Sequence, residues 1–346
     1  MSVTWTTCRA SVRPSRRARA GHEEDRVIEI HPRRSCRSVA VRGLSRATVR
    51  PVLGFFPVRG PMSPLKAAVD VTAGLLPRLP STTYHHVEGD GWTAELVTRR
   101  DLADQELVDA PGAIVYFHGG AFVFCGLATH RRIVERLAER TGLPVLSVAY
   151  RQLPGHRVET SVSDCVGALN WLLEQGVDPA GIVLAGDSAG GHLAFAVGLE
   201  ATAQGVDLAG IVGLSPWLDF DNAARRRHRN AWRDDFIPTF RLDRVARLVT
   251  GVPVLDPEHS PVNRDLAGLP PVLMICGHDE VLRHDAELMT ERLLSAGVAV
   301  TLHLWQGQVH AFPVLGNFLP ESAAALDQVA TFVGSTVGVR RLRAVS

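Results

Sequence analysis

Gly181-Ile182-Val183-Leu184-Ala185-Gly186-Asp187-Ser188-Ala189-Gly190-Gly191-His192-Leu193-Ala194-Phe195-Ala196-Val197 decides how the chain is read. An apolar run rich in β-branched residues predicts a buried strand, and the apolar positions after Gly191 predict a helix. Between them stands Gly186-Asp187-Ser188-Ala189-Gly190, a Gly-x-Ser-x-Gly turn whose small residues allow a sharp strand-to-helix bend that exposes one side chain. That side chain is Ser188. A serine hydroxyl is a weak nucleophile at neutral pH, so the reading requires a base to take its proton and an acid to hold the base.

Outward from the turn, the runs Ala113–Phe117, Val145–Ala149, 182–185, 211–214, 272–276 and 300–304 read as buried strands. Helical spacing fills 130–140, 162–174, 189–203 and 285–296. Two more strands, 84–87 and 92–97, flank the turn-forming Glu88-Gly89-Asp90-Gly91 and read as a hairpin. Strand-helix alternation with a leading hairpin predicts an α/β fold: a mostly parallel, doubly wound sheet of eight strands, with its site at the carboxyl ends of the strands.

Two of those ends carry the missing partners. The strand 272–276 leads to Gly277-His278-Asp279-Glu280, and the strand 300–304 leads to Gln308-Val309-His310. The order serine, acid, histidine is that of the α/β hydrolases. Asp279 is the favoured acid, with Glu280 its rival one residue on; Asp285 falls at a helix start, where a carboxylate caps or suits the dipole. His303 alternates with Leu302 and Leu304 inside a strand and reads as a packed or surface histidine, which leaves His310 as the base. Donors for a developing oxyanion are expected from His118-Gly119-Gly120-Ala121 after the strand Ala113–Phe117, and from the N–H of Ala189 at a helix N-terminus. Alanine at 121 keeps its N–H but disfavours positive φ.

Together, His118-Gly119-Gly120-Ala121-Phe122, Tyr150-Arg151, Gly186-Asp187-Ser188-Ala189-Gly190-Gly191, Ser215-Pro216-Trp217-Leu218-Asp219, Gly277-His278-Asp279-Glu280 and His310-Ala311-Phe312 resemble the hormone-sensitive-lipase family of α/β-hydrolase carboxylesterases. The resemblance runs from about residue 46 to residue 333. It implies hydrolysis of short to medium acyl esters without a cofactor, under a helical cap built from 46–80 and an insertion at 218–255. By position it gives Ser188 as nucleophile, Asp279 as acid, His310 as base, and Gly119, Gly120, Ala121 and Ala189 as the oxyanion region. Gln152-Leu153-Pro154-Gly155-His156 departs from the family's usual proline-rich stretch after Tyr150-Arg151. Phe122, Phe124, Trp217 and the pair Phe55-Phe56 are candidates for an acyl pocket. The same triad also suits an amidase or arylformamidase, and the same fold a non-catalytic ligand-binding protein.

Composition bounds the rest. The 346 residues carry 37 basic and 36 acidic side chains, a net charge of +1, and 46% are hydrophobic. That balance, without any basic patch interleaved with aromatics, excludes a nucleic-acid partner. No apolar run approaches the ~18 residues of a membrane span. The five scattered cysteines lack any C-x-x-C spacing and suit a reducing, cytoplasmic compartment. Residues 1–45 hold ten arginines against four acids and no apolar leader core, so they read as a disordered extension ahead of a hydrolase domain at 46–336 and a tail at 337–346. The run Arg225-Arg226-Arg227 reads as a solvated face. Neighbouring His85-His86 lacks spaced acidic or cysteine partners, so no metal is expected in the site. The expected partner is a small ester, and a homodimer is the expected assembly.

Overall fold

The computed structural model describes residues 27–55, 69, 71–75 and 77–344. Its centre is a nine-stranded sheet in the order β1-β9-β8-β7-β6-β4-β5-β3-β2. The strands are β1 (Ile28–His31), β2 (Thr82–Glu88), β3 (Thr93–Arg99), β4 (Ala113–Phe117), β5 (Val145–Ala149), β6 (Ile182–Asp187), β7 (Gly210–Leu214), β8 (Val272–Gly277) and β9 (Val300–Trp305). The hairpin β2–β3 joins antiparallel through β3 to β5; all other pairings are parallel.

Parallel strands covered on both faces need apolar residues at every position, which is why β4 and β6 are buried throughout and read as continuous runs rather than alternations. Alternate residues still part to opposite faces. Val115, Phe117 and Leu184 pack with helices α4 (Val158–Glu174), α5 (Ala189–Ala203) and α8 (Arg283–Ser295), while Ile114, Tyr116, Val183 and Ala185 pack with α3 (Leu127–Thr141) and α9 (Pro320–Ala344). Further helices among the described residues include α1 (Cys36–Leu44), α2 (Arg50–Phe55), α6 (Ala223–Arg227) and α7 (Leu242–Thr250).

From β4 the chain moves outward to β5 and then crosses back to lay β6 on the other side of β4. The crevice at this reversal, between the carboxyl ends of β4 and β6, is where such sheets bind ligands. The register Phe117↔Gly186 sets the Gly119 loop and Ser188 beside each other there, and Asp187↔Leu214 and Gly277↔Trp305 bring the ends of β7, β8 and β9 to the same rim.

Three expectations change. The sheet has nine strands, not eight. Residues 28–44, expected within a disordered extension, form β1 and α1; residues 1–26 lie outside the described residues. β1 pairs parallel with β9, and Ser35 caps α1 by accepting from the Ser38 N–H at 3.1 Å while its hydroxyl donates to Glu321 of α9 at 3.0 Å. The strand escaped sequence reading because it has four residues, three of them exposed, too short for any period to show. At the other end, 337–344 continue α9 instead of forming a tail, and Val337 is buried in the core.

Candidate active site

Ser188 sits between β6 and α5 with φ 52° and ψ −115°. For a residue with a Cβ this left-handed backbone is strained, and the strain is held by close packing. A Cβ on Gly190 would stand 1.9 Å from the Phe117 carbonyl oxygen, and one on Gly186 would stand 2.3 Å from that of Gly190. Only glycine fits at either position, so the pattern seen in the sequence is a steric requirement of the bend. The Ser188 N–H donates to the Leu214 carbonyl at 2.9 Å, tying the turn to the end of β7.

His310 follows β9 and is buried. Its Nδ1 lies 2.7 Å from Glu280 Oε2. The other carboxylate oxygen, Oε1, accepts from the Ser215 hydroxyl at 2.7 Å and from the Gly277 N–H. Ser215 Oγ in turn accepts the Ala311 N–H at 3.1 Å, so one serine steadies both the acid and the residue after the base. Burial works against a charged imidazole at 310, but the hydrogen bond and charge of Glu280, with Asp234 and Asp187 beyond it, outweigh burial and raise its pKa above 6.5.

The sequence-based choice of Asp279 as the acid is therefore corrected. Its carboxylate lies 3.0 Å from His278 Nδ1 and 3.3 Å from Arg42 Nη1, while the carboxylate that meets His310 belongs to Glu280. A tight turn after β8 sends neighbouring side chains to opposite sides, and the inner position falls to residue 280. Asp285 accepts the N–H groups of Leu218 and Asp219 and a two-point ion pair from Arg225 at 2.7 and 2.8 Å. Arg225 is fully buried, against the expectation of a solvated face, while Arg226 and Arg227 are exposed as expected.

The oxyanion loop needs a similar correction. The Gly119 N–H donates to Asp187 Oδ1 at 2.9 Å, so of the four expected donors Gly120, Ala121 and Ala189 remain candidates. Asp187 also accepts from Tyr116 Oη at 2.8 Å and pairs with His130 Nε2 at 3.2 Å. Burial pushes its pKa up, but these partners win and hold it below the usual carboxylate value. The unassigned middle residue of the Gly-x-Ser-x-Gly motif is thus the anchor of the loop opposite. Ala121 and the next residue, Phe122, take φ of 55° and 60° despite their side chains, at a cost of about 1–2 kcal/mol each. Tyr150 Oη donating to the His118 carbonyl at 2.7 Å and Leu153 N–H donating to the Phe122 carbonyl at 2.9 Å hold the loop in place. Gln152, where the chain departs from the family pattern, braces this loop through its amide, 3.1 Å from His118 Nε2.

Several functional neighbours escaped sequence reading. Asp234 accepts the N–H groups of Phe236, Ile237 and Val281 at 2.7–2.8 Å, and burial pushes its pKa up to about 6. Phe236 sets its ring 5.6 Å from that of His310. The Asn230 amide donates to the carbonyls of His278 and Glu280. Arg42 and Arg46 of the N-terminal segment pair with Asp235. Most of these residues meet partners distant in the chain, which no local pattern marks. Phe122 and Trp217, candidates for an acyl pocket, are buried in an aromatic cluster with Phe220 and His192. Phe55 is exposed, and Phe56 lies outside the described residues.

Comparison with known proteins agrees with the fold. Residues 114–314 match the family model described as alpha/beta hydrolase fold. The esterase LipU of Mycobacterium tuberculosis is 36% identical over 233 residues, 65% of this chain and 78% of that protein. An acetyl-hydrolase of Streptomyces hygroscopicus is 34% identical over 227 residues, 65% of this chain and 76% of its own length. A crystal structure of an esterase from the bacterial hormone-sensitive lipase family superposes with a TM-score of 0.77 at 29% identity, over 88% of this chain and 99% of that one. The chain is therefore a hydrolase acting on ester bonds, a carboxylesterase by class. Within that class it belongs to the hormone-sensitive-lipase family of α/β hydrolases.

Proposed function

We propose that the chain cleaves short- to medium-chain acyl esters through Ser188, His310 and Glu280. The observation that carries the reading is the Glu280–His310 hydrogen bond of 2.7 Å at the rim where the strained Ser188 turn also stands. With Nδ1 engaged by the carboxylate, His310 keeps Nε2 for the serine proton. Ser188 Oγ attacks the carbonyl carbon, and the oxygen that becomes negative is met by the N–H groups of Gly120, Ala121 and Ala189. The proton held on His310 then passes to the departing alkoxide, leaving an acyl-serine. Water, deprotonated by the same imidazole, attacks that ester and returns the proton to Ser188 as the acid leaves.

The cap is part of this proposal: residues 46–80, of which 56–68, 70 and 76 lie outside the described residues, and the segment 218–255, with Arg46 of the first and Arg42 of α1 both pairing with Asp235 of the second. A reducing, cytoplasmic place of action is supported by four free cysteines, Cys36, Cys125, Cys165 and Cys276. No helix among the described residues is long and apolar enough to cross a membrane. The homodimer expected of the chain is checked by its mass in solution.

Turnover of p-nitrophenyl esters from C2 to C16, beside matched anilides and arylformamides, tests the reading. Ser188→Ala should lower kcat by about 10⁶ while the circular dichroism stays unchanged. Unchanged turnover in that variant would refute the nucleophile. A C16 optimum would refute the acyl preference, and faster cleavage of the amides would turn the assignment to an amidase.

A further inference from the structure

The far edge of the sheet, where β1 lies against β9, gathers polar groups that ester cleavage does not use. Glu29 and His31 share one face of β1, and the register pairs Glu29 with His303 and His31 with Trp305. His31 Nε2 and His303 Nδ1 lie 2.8 Å apart; Glu29 Oε2 lies 3.4 Å from the His303 nitrogen and 3.9 Å from that of His31. Gln328, reaching in from α9, sets its amide nitrogen 3.2 Å and 3.4 Å from the same two ring nitrogens. Its amide oxygen is buried and has no hydrogen-bond partner.

With the Gln328 amide nitrogen turned to the rings, protons alone satisfy this group poorly. If the Gln328 amide donates to both rings, both ring nitrogens present lone pairs to each other across 2.8 Å. If one ring donates to the other, the amide faces an N–H. Either arrangement also leaves the glutamine oxygen unpaired, at a cost typical of a buried unsatisfied acceptor.

We propose that Glu29, His31 and His303 bind a divalent transition-metal ion, with zinc the ion their chemistry fits best, and that Gln328 completes the site. Two imidazole nitrogens and a carboxylate oxygen are zinc's ligand types, and bonds of about 2.0–2.2 Å in a tetrahedron separate ligand atoms by about 3.3 Å. The three separations, 2.8, 3.4 and 3.9 Å, straddle that edge length. A half-turn of the Gln328 amide exchanges its nitrogen for its unpaired oxygen and brings a fourth donor to the same place. The His31 ring is already held, stacked on Trp305 with centroids 4.2 Å apart and planes 15° from parallel. Sequence reading did not reach this site, because β1 and β9 stand at opposite ends of the chain.

The consequence is structural. The ion would clasp the N-terminal strand to the body five residues before α1, the helix whose Arg42 holds Asp235 and Asp279. Metal binding and anchorage of the segment over the active site are then one equilibrium.

The test uses the full chain, stripped with EDTA and titrated with zinc chloride against a chromophoric chelator, with Tm followed in parallel. One zinc per chain is expected, with X-ray absorption showing two imidazoles and oxygen donors and with a higher Tm. Glu29→Gln, at a partly exposed position, should weaken binding at least about tenfold, as should His31→Asn combined with His303→Asn. His310→Asn should keep the ion, which excludes binding at the catalytic histidine. Equal zinc uptake by wild type and Glu29→Gln, or no uptake by wild type, overturns the proposal. If the double variant fails to fold, Glu29→Gln decides alone.

Discussion

Glu280 turns inward from the end of β8, its side chain 1% exposed, and meets His310 and Ser215; Asp279, one residue earlier, turns outward, 25% exposed, and meets His278 and Arg42. The two carboxylates share a strand end and nearly the same intrinsic acidity, so chemistry alone does not choose between them. What separates them is the set of donors each can reach. Both Glu280 oxygens are fixed by groups from three places in the chain, the Gly277 N–H, the Ser215 hydroxyl and the His310 ring, and in the proposed mechanism an imidazole held this way keeps one orientation. Asp279 binds Arg42, a guanidinium it shares with Asp235, an interaction suited to tethering rather than to orienting.

The largest effect should come from the inner side. Glu280→Gln keeps the shape but replaces an acceptor with an amide that can force the wrong tautomer on His310, and the loss of kcat should approach about 10⁴. Stopped or slow turnover of p-nitrophenyl butyrate by Glu280→Gln and by Asp279→Asn, measured side by side, is the sharpest comparison. Should the Asp279 variant lose as much as the Glu280 variant, the inward and outward roles would be reversed.

Asp285, a third carboxylate six residues after Asp279, extends the comparison to stability. It is fully buried with Arg225, and it also holds the N–H groups of Leu218 and Asp219 at the start of the 218–255 segment. Breaking a buried pair from one side leaves an uncompensated charge, so Asp285→Asn should cost about 3–5 kcal/mol in urea unfolding. A loss below about 1 kcal/mol would mean that the pair is solvated in solution and does not fasten the segment.

How far the sequence could be read follows the same division between local and distant causes. The Ser188 turn was legible because its constraint is local: Gly186 and Gly190 are required by contacts within one bend. The six buried strands were legible because parallel strands are apolar along their whole length. The choice of Glu280 was not, since it depends on Ser215 and Ala311, brought in by β7 and β9. Gly119 lost its place as an oxyanion donor for the same reason: Asp187, the residue that takes its N–H, lies on the neighbouring strand. β1 was hidden by its four-residue length, and α1 by its arginines, whose charge suggested solvation although Arg42 spends its guanidinium on Asp235 and Asp279.

A smaller effect separates the two sides by pH. In the proposed mechanism the His310 imidazole must be neutral to take the serine proton; burial lowers its pKa, but Glu280 outweighs burial and raises it above 6.5. The acid limb of kcat/KM in wild type should therefore have its midpoint above pH 6.5 and rise with pH. In the residual activity of Glu280→Gln the raising influence is reduced while burial stays, so the limb should move to lower pH. In Asp279→Asn it should stay where it is. A limb that moved with Asp279 and not with Glu280 would contradict the assignment.

The smallest effect belongs to the outer carboxylate itself. Burial raises the pKa of Asp279, but His278 and Arg42 outweigh it and bring the pKa below its ordinary 3.8. A carboxylate with a depressed folded-state pKa contributes stability above its unfolded pKa and loses it as the pH falls through the folded value. Asp279→Asn should therefore cost at most about 1 kcal/mol at pH 7, as partly exposed pairs do. The gap between variant and wild type should close below about pH 3.8. Because the pair ties α1 to the β8 end, the same variant should make α1 more open to proteolysis while changing kcat by less than about fivefold. Urea unfolding at pH 7 and pH 3 reads the difference, and a gap that widened in acid would show that Asp279 is held protonated and does not pair with Arg42.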